Sequence, residues 1–254
     1  MKKKKKFRQD RKPWFRFIKW IMRVRYKRVK FINLGEELKG GSIILSNHEG
    51  TDAPLSLELY SQIPVRFWGA YEMNSRLIDL YRYQTKIYYH QKKHWPLFIA
   101  RVFCLLASPL TYIFYKGLNL ISTYPDARFA VTIKQSIKAI ENGESIVIFP
   151  EDSSEGYQKE LKGFFPGFAK LADVLYTKRG IDVPIYVTYL KKSEHKYMID
   201  APIYYSELIK NGETPEEIAR VLVERCNIIG NTPEEKLLNV TDEADSKESQ
   251  ISNI

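Results

Sequence analysis

In the stretch SIILSNHEGTDAP (residues 42–54), a short apolar run passes directly into a polar loop and then into a proline. A continuous apolar run of this length is typical of a buried strand in a parallel sheet. Pro54 opens a helical pattern, because proline is favoured in the first turn of a helix. The stretch therefore predicts a strand, a polar loop and a helix, which together form the repeating unit of an α/β fold.

The rest of the chain alternates short apolar runs with helical patterns in the same way. Strands are predicted at residues 43–46, 65–68, 118–122, 145–149, 183–190 and 197–199. Helices are predicted at residues 126–142, 166–178 and 214–229. Because this alternation indicates crossover connections, we expect an α/β fold with a mostly parallel mixed sheet flanked by helices.

Positive charge is concentrated at the start of the chain. Residues 1–30 contain 15 Lys and Arg residues against one acid and carry +14, whereas the whole chain carries +10. The remaining residues therefore sum to about −4, so the basic character belongs to the N-terminal segment. In this segment Trp14, Phe17 and Ile21 lie near one helical face, and cations line another. We predict a basic amphipathic N-terminal helix within an arm formed by residues 1–34.

Three partners fit such an arm. An anionic membrane surface attracts clustered cations and accommodates large apolar side chains. A nucleic-acid-binding arm would have the same charge, and a helix packed on its own domain would have the same apolar stripe. The tryptophans and phenylalanines favour the membrane, because an arm that follows phosphates does not need them. We therefore predict an anionic membrane surface as partner and no nucleic acid.

Composition sets further bounds. Two cysteines, Cys104 and Cys226, imply no disulfide framework, which suits a reducing cytoplasm. Cations interrupt the apolar residues near the N-terminus, so no signal peptide is expected. The longest uncharged apolar stretch, residues 102–115, has 14 residues, fewer than the roughly 20 that span a membrane, and is expected to be buried or interfacial. Residues 35–231 are predicted to form one α/β domain, and residues 232–254 a polar, acidic, disordered tail.

His48 and Asp52 form the sharpest chemical pair in the sequence. At the start of a helix, residues four apart face the same way, so the carboxylate can reach the imidazole. A neutral imidazole can accept a proton from a hydroxyl while the carboxylate orients the ring. The pair follows a strand, where open α/β sheets bind ligands. The same residues also fit a loop histidine followed by an N-cap aspartate.

A second polar loop, FPEDSSEG (residues 149–156), follows the predicted strand at 145–149. Pro150 ends the strand and directs the loop, so Glu151 is expected at the same sheet edge as His48. Further on, Lys162 and Gly163 offer a cation and a close backbone approach for an anionic group. A solvated polar turn with exposed lysines is the alternative.

Together, the blocks SNHEGTD, VIFPED, KGFFPGFAKLA and VPIYVTYL, followed by API, resemble the glycerophospholipid acyltransferase superfamily, which includes lysophosphatidic acid and glycerol-3-phosphate acyltransferases. The blocks extend from residue 41 to residue 205, about two-thirds of the chain. The resemblance implies an acyltransferase-like fold, His48 as general base and Asp52 as its orienter, with acyl-CoA or acyl-ACP (acyl carrier protein) as donor. It further implies a substrate-binding set of Asn47, Thr51, Arg128, Glu151, Ser153, Ser154, Lys162 and Gly163.

The chain departs from the family pattern in three places. The family has four residues between histidine and aspartate, whereas this chain has three. In the acceptor-binding segment, glycine, threonine and arginine become Asp152, Ser153 and Ser154, so an arginine expected to hold a phosphate is missing. A second arginine is absent after an earlier strand, although Arg128 lies one turn further on. We therefore expect a less charged acceptor, or another cation in place of the arginine.

The predicted function is that of a peripheral O-acyltransferase at the cytoplasmic face of the cell membrane. It would transfer a fatty acyl group to a hydroxyl of a lysophospholipid or related glycerolipid. No metal is expected, and no cofactor besides the acyl-CoA or acyl-ACP co-substrate. The alternative is a catalytically altered relative that acts on a non-phosphomonoester acceptor or serves as a lipid-binding protein.

Overall fold

The computed structural model describes residues 11–152, 156, 158–210 and 212–238. Its strands are β1 (Lys30–Asn33), β2 (Ile43–Ser46), β3 (Val65–Ala70), β4 (Ile121–Thr123), β5 (Ser145–Ile148), β6 (Pro184–Lys191), β7 (Lys196–Ile199) and β8 (Ile203–Tyr204). Its α-helices are α1 (Pro13–Arg25), α2 (Asp52–Tyr60), α3 (Tyr71–Asn74), α4 (Leu77–Tyr83), α5 (Leu97–Leu118), α6 (Phe129–Glu141), α7 (Gly167–Arg179), α8 (Tyr205–Leu208) and α9 (Pro215–Asn231). A π-helix (Gln84–Lys92) lies between α4 and α5.

Within the described residues, eight strands form one sheet in the order β1-β7-β6-β2-β5-β3-β4, with β8 paired to β6. The pairs β1–β7, β2–β6, β2–β5, β3–β5 and β3–β4 are parallel. The pairs β6–β7 and β6–β8 are antiparallel. The prediction of an α/β fold with a mostly parallel mixed sheet flanked by helices is confirmed.

The centre of the sheet is the strand β2, which lies between β5 and β6. Ile43, Ile44 and Leu45 are fully buried, as expected for a strand covered on both faces. Ile44 lies opposite Val147 of β5 and Tyr186 of β6. Because these three strands are parallel, their carboxyl ends meet at one edge of the sheet. The polar loops that follow β2 and β5 therefore begin at the same edge.

The six predicted strands are all present, with ends that differ by at most three residues. The helices predicted at residues 126–142, 166–178 and 214–229 correspond to α6, α7 and α9, and the helix predicted at Pro54 corresponds to α2, which begins two residues earlier. The sequence patterns missed β1, which lies at the sheet edge and pairs with the distant strand β7. Phe31 of β1 stacks on Tyr197 of β7 with ring centroids 5.5 Å apart.

A buried cluster of charges fixes α1 to the domain. Arg11 donates to both carboxylate oxygens of Glu58, at 3.1 and 2.9 Å, and Lys19 Nζ lies 2.8 Å from Glu58 Oε1. On another side, Phe15 packs so closely on α5 that a Cβ added at Gly117 would lie 1.9 Å from the Phe15 ring. Residues 11–34 therefore pack on the α/β domain through α1 and join its sheet through β1.

The helix α5 is long, apolar and mostly exposed. Among the described residues it is the one helix long and apolar enough to cross a membrane, by length and composition alone, with a mean hydropathy of 1.9. It exceeds the predicted 14-residue stretch because it continues through the flanking Arg101 and Lys116. Its exposed large side chains are Phe98, Ile99, Val102, Phe103, Leu105, Leu106, Leu110 and Ile113. The expectation of a buried element is wrong here, and the interfacial one stays a prediction.

The helix α9 begins with a capping box at Thr214. Its hydroxyl accepts the Glu217 backbone N–H at 3.3 Å, and the Glu217 carboxylate accepts the Thr214 N–H at 2.7 Å. After α9, Leu237 and Leu238 pack against the main core, so the chain stays on the domain up to that point. Most of the predicted tail, residues 239–254, lies outside the described residues.

Candidate functional site

The loop after β2 turns sharply at two residues with left-handed backbone. Glu49 has φ 39° and Gly50 has φ 65°, a conformation that glycine adopts without strain. At this turn the chain changes direction after β2 and leads into α2, which begins at Asp52. His48 is thereby held at the carboxyl edge of the sheet, where the sequence predicted it.

Asn47 fixes the start of this loop to the neighbouring strand. Its side-chain Oδ1 accepts the Leu190 N–H at 2.7 Å, and its Nδ2 donates to the Leu190 carbonyl at 3.4 Å. The residue is 2% exposed. The amide therefore continues the hydrogen bonding between β2 and β6 beyond the end of β2. These bonds give Asn47 a positioning role, and its predicted contact with substrate stays a prediction.

Glu151 joins the two polar loops. Its Oε2 accepts the backbone N–H of His48 at 3.1 Å. The backbone of Glu151 forms an isolated antiparallel β-bridge with Phe164, and Glu151 is buried. Burial raises the pKa of Glu151, while hydrogen bonds from the backbone of His48 and Gln158 lower it. The prediction that Glu151 lies at the same edge as His48 is confirmed, and the contact is to the His48 backbone.

We expect the substitution Glu151→Ala to lower any reaction rate that depends on His48 by about 100-fold. A displacement of a catalytic group by about 1 Å lowers the rate by this factor. Without the carboxylate, the N–H of His48 loses its acceptor and the loop can shift. Glu151→Gln keeps an oxygen at this position and should retain most of the activity. Turnover of both variants, together with their thermal midpoints, tests this. Equal losses in the two variants would contradict a role for the hydrogen bond.

The ring of His48 packs beside the ring of Phe149. Its centroid is 4.9 Å from that of Phe149, which follows β5. The pKa of His48 is lowered from 6.5 to about 4, mainly by burial and also by the charges of Lys92 and Lys93, against a hydrogen bond with the Gly50 backbone that raises it. His48 is therefore neutral at pH 7, which is the form that can accept a proton.

This environment predicts an unusual pH dependence. The pKa of His48 lies below its usual value, so the ring stays neutral until the pH falls to about 4. The acid limb of kcat/KM, which reports on the free protein, should therefore lie well below pH 6.5. Because the unfolded chain binds this proton more tightly, stability should also fall as the pH decreases from 6.5 to about 4. An acid limb near pH 6.5 in a kcat/KM profile would show that the ring is solvated.

Asp52 makes an ion pair with Lys192, the residue that follows β6. Its Oδ2 lies 2.6 Å from Nζ of Lys192, and this contact raises the pKa of the lysine. The Asp52 backbone N–H donates to the Glu49 carbonyl oxygen at 3.2 Å, which closes the turn before α2. The role of Asp52 as orienter of His48 stays a prediction. In the structure, the Asp52 carboxylate forms the ion pair with Lys192.

The other predicted substrate-binding residues lie at several places. Thr51 is exposed at the start of α2, and its carbonyl oxygen accepts the Leu55 N–H at 3.2 Å. The Gly163 carbonyl oxygen accepts the Asp152 N–H at 3.0 Å, so Gly163 flanks the loop after β5. Lys162 is exposed beside it. Ser153 and Ser154 lie outside the described residues.

Arg128 belongs to a separate surface cluster beyond β4. It pairs with Asp126, with Nη2 2.7 Å from Oδ2. Its guanidinium carbon lies 5.2 Å from the ring centroid of Tyr71 and 4.6 Å from that of Tyr124. These two rings stack on each other 5.4 Å apart. The observed partners of Arg128 are thus a carboxylate and two tyrosines that follow β3 and β4.

The sequence patterns did not predict the π-helix. Its C-terminal part brings two further residues to the loop that contains His48. Nζ of Lys93 lies 3.6 Å, and the Tyr88 hydroxyl 4.0 Å, from the position of a Cβ at Gly50. The carbonyl oxygen of Lys92 lies 3.3 Å from the corresponding position at Gly156. The end of the π-helix therefore faces both polar loops. Wide helical turns of this kind are frequent at functional sites.

No metal centre is evident among residues 11–152, 156, 158–210 and 212–238, where no three His, Cys, Asp or Glu side chains are grouped to hold an ion. His90 and His94 are both exposed, and His90 Nδ1 lies 2.8 Å from the Trp95 carbonyl oxygen. The expectation that the protein uses no metal stays a prediction.

No protein-family model matches the chain, and no curated protein matches it significantly. The resemblance described above therefore depends on the sequence blocks themselves.

Proposed function

We propose that the protein is an O-acyltransferase that transfers a fatty acyl group from an acyl-CoA or acyl-ACP thioester to a hydroxyl of a lysophospholipid or related glycerolipid. The observation that carries this proposal is the hydrogen bond from the His48 N–H to Glu151. It joins the two sequence blocks on which the resemblance depends, which are about 100 residues apart, at one edge of the sheet.

In this proposal His48 is the general base. The neutral ring accepts the proton of the acceptor hydroxyl as the oxygen attacks the thioester carbonyl. A new C–O bond forms, the tetrahedral intermediate collapses, and the C–S bond breaks. The sulfur leaves as a thiolate and receives a proton, so the products are an ester and a free thiol. The low pKa of His48 keeps the ring ready to accept the proton at neutral pH.

A peripheral position at the cytoplasmic face of the cell membrane fits the exposed apolar surface. Leu105, Leu106 and Leu110 of α5 are 68–74% exposed, and Phe17 and Trp20 of α1 are each 61% exposed. Such exposure is uncommon in a protein surrounded by water, and it is favourable at a lipid interface. The contact between α1 and α5 through Phe15 and Gly117 links the two helices. An anionic membrane is the partner that this surface and the N-terminal cations support, and we propose no nucleic acid partner.

A second candidate function is that of a lipid-binding protein without catalysis. The ion pair between Asp52 and Lys192 favours it, because a carboxylate bound to an ammonium group stabilises an imidazolium less. The two functions differ in whether a covalent bond is broken. Free thiol whose release depends on the acceptor appears only if the acyl group is transferred, because hydrolysis of the thioester does not need the acceptor.

The test is transfer of a labelled acyl group from its CoA or ACP thioester to a panel of lysophospholipids and monoacylglycerols in anionic vesicles. We expect a labelled ester product and an equal amount of free thiol, both dependent on the acceptor. Retention of lipid by the protein without thiol release from any donor would overturn the acyltransferase proposal and support lipid binding.

A further inference from the structure

We propose that Lys192 is a positioning residue for His48. Through its ion pair with Asp52, it holds the end of the reactive loop, residues 47–52, against the end of the neighbouring strand β6. The inference rests on the proposed function, because it concerns the placement of the base in that reaction. It adds a residue outside the sequence blocks, and it gives the Asp52 carboxylate a role that does not depend on the His48 ring.

The reactive loop is bound to β6 at both of its ends. At its start, Asn47 Oδ1 accepts the Leu190 N–H at 2.7 Å, one residue beyond the end of β2. Two residues after Leu190, a short 3₁₀ helix (Lys192–Glu194) begins between β6 and β7. Its first residue reaches the last residue of the loop, where Lys192 Nζ lies 2.6 Å from Asp52 Oδ2. The same strand end therefore holds the loop at two points.

The backbone between these two contacts changes direction sharply. Glu49 and Gly50 have left-handed φ angles of 39° and 65°. A residue other than glycine is strained in this conformation, which persists where surrounding contacts hold it. Glu151 binds the His48 N–H before the turn, and the ion pair binds Asp52 after it. Loss of the contact after the turn should therefore let the segment that contains the base move.

The charges of the pair suit this role. The hydrogen bond and the charge of Asp52 raise the pKa of Lys192, so the ammonium group keeps its charge at neutral pH. Asp52 also lies in the first turn of α2, where the helix dipole favours a negative charge. The side chains of Lys192 and Asp52 are 60% and 30% exposed, so the pair adds little to the stability of the whole domain. Its loss should be seen in the loop.

The helix α7 offers a control pair of nearly the same exposure. Lys170 and Asp173 form an ion pair at 3.3 Å, and their side chains are 61% and 33% exposed. This pair lies within α7, outside the reactive loop. Lys170→Met and Lys192→Met remove the same group from comparable surroundings, so both variants should keep the wild-type thermal midpoint within a few degrees. A difference between the two variants in loop motion or in turnover then reports on the loop.

The first experiment needs no turnover and measures amide hydrogen exchange in the full-length protein. We expect the backbone amides of residues 48–53 to exchange about 10-fold faster in Lys192→Met than in the wild type, because local opening becomes easier. Lys192→Arg keeps a cation and should restore most of the protection. Lys170→Met should exchange at residues 48–53 as the wild type does. Unchanged exchange in Lys192→Met would overturn the proposal.

The second experiment compares Lys192→Met, Asp52→Asn and the double variant in the acyl-transfer assay. Each single substitution should lower kcat by about 10-fold with KM nearly unchanged, because a small displacement of the base weakens the transition state. The double variant should lose no more than the single variants, because the two side chains act as one unit. Lys192→Arg should recover most of kcat.

Three outcomes of this cycle would overturn the role of Lys192. They are full activity of Lys192→Met, losses that multiply in the double variant, and a far larger loss in Asp52→Asn than in Lys192→Met. The last of these would assign Asp52 to the His48 ring instead. If the wild type transfers no acyl group, the proposed function fails, whereas hydrogen exchange still decides whether Lys192 holds the loop.

Discussion

Replacing His48 with alanine is expected to lower acceptor-dependent thiol release by about 100- to 10,000-fold, the usual contribution of a general base. The loop should remain formed, because Glu151 binds the backbone N–H of residue 48 and Asn47 binds Leu190. The loss should therefore appear mainly in kcat. Thiol release from one acyl thioester, measured with and without acceptor, gives the comparison directly.

The matched control for this prediction is His195→Asn. His195 lies outside the site, is exposed and has φ 52°, a conformation that asparagine tolerates. This variant should keep wild-type activity, and both variants should keep the wild-type thermal midpoint at pH 7 within a few degrees. Undiminished transfer by His48→Ala would exclude His48 as the base and with it the proposed mechanism.

The substitution Glu58→Gln is expected to lower the free energy of unfolding by about 3–5 kcal/mol, because removing one partner of a buried ion pair leaves uncompensated charge. Two cations depend on this carboxylate, Arg11 and Lys19. The side chains of Arg11 and Glu58 are each 1% exposed, so water has little access to solvate the positive charge that the substitution leaves unbalanced. Burial already lowers the pKa of Lys19, and without Glu58 that pKa should fall further. Urea unfolding at pH 7 measures the effect.

A surface ion pair provides the control. Glu36 and Lys39 also form a contact, but their side chains are 61% and 53% exposed. The substitution Glu36→Gln should therefore change the free energy of unfolding far less than Glu58→Gln does. A similar cost for the two glutamine variants would mean that the Glu58 cluster is solvated. A loss confined to α1, detected as early proteolysis near Arg25, would show that the cluster holds only that helix.

The sequence was most informative at the centre of the sheet. The strands β2, β5 and β6 are mostly apolar and almost entirely buried, which is the pattern expected of strands covered on both faces of a sheet. Their parallel order also made it possible to expect His48 and Glu151 at one edge. No contact between the two residues was predicted, however, and the structure shows the Glu151 carboxylate accepting the His48 backbone N–H. Such a bond leaves no trace in residue type.

The parts that were not predicted depend on distant partners. The strand β1 is short, and it pairs with β7, which lies more than 160 residues away in the sequence. The π-helix replaces ordinary helical hydrogen bonds, and its residue Gln84 is fixed by Ser108 of α5 at 2.8 Å. The salt bridge of Arg11 connects residues 47 positions apart. A pattern within a window of the sequence contains none of these contacts.

The bond between Glu151 and the His48 backbone separates the shape of the loop from the chemistry of its side chain. Every amino acid except proline has the N–H that this bond uses. The loop can therefore keep its path while the side chain at position 48 is exchanged. Evolution or design can test a new reactive group there without rebuilding the sheet edge that presents it.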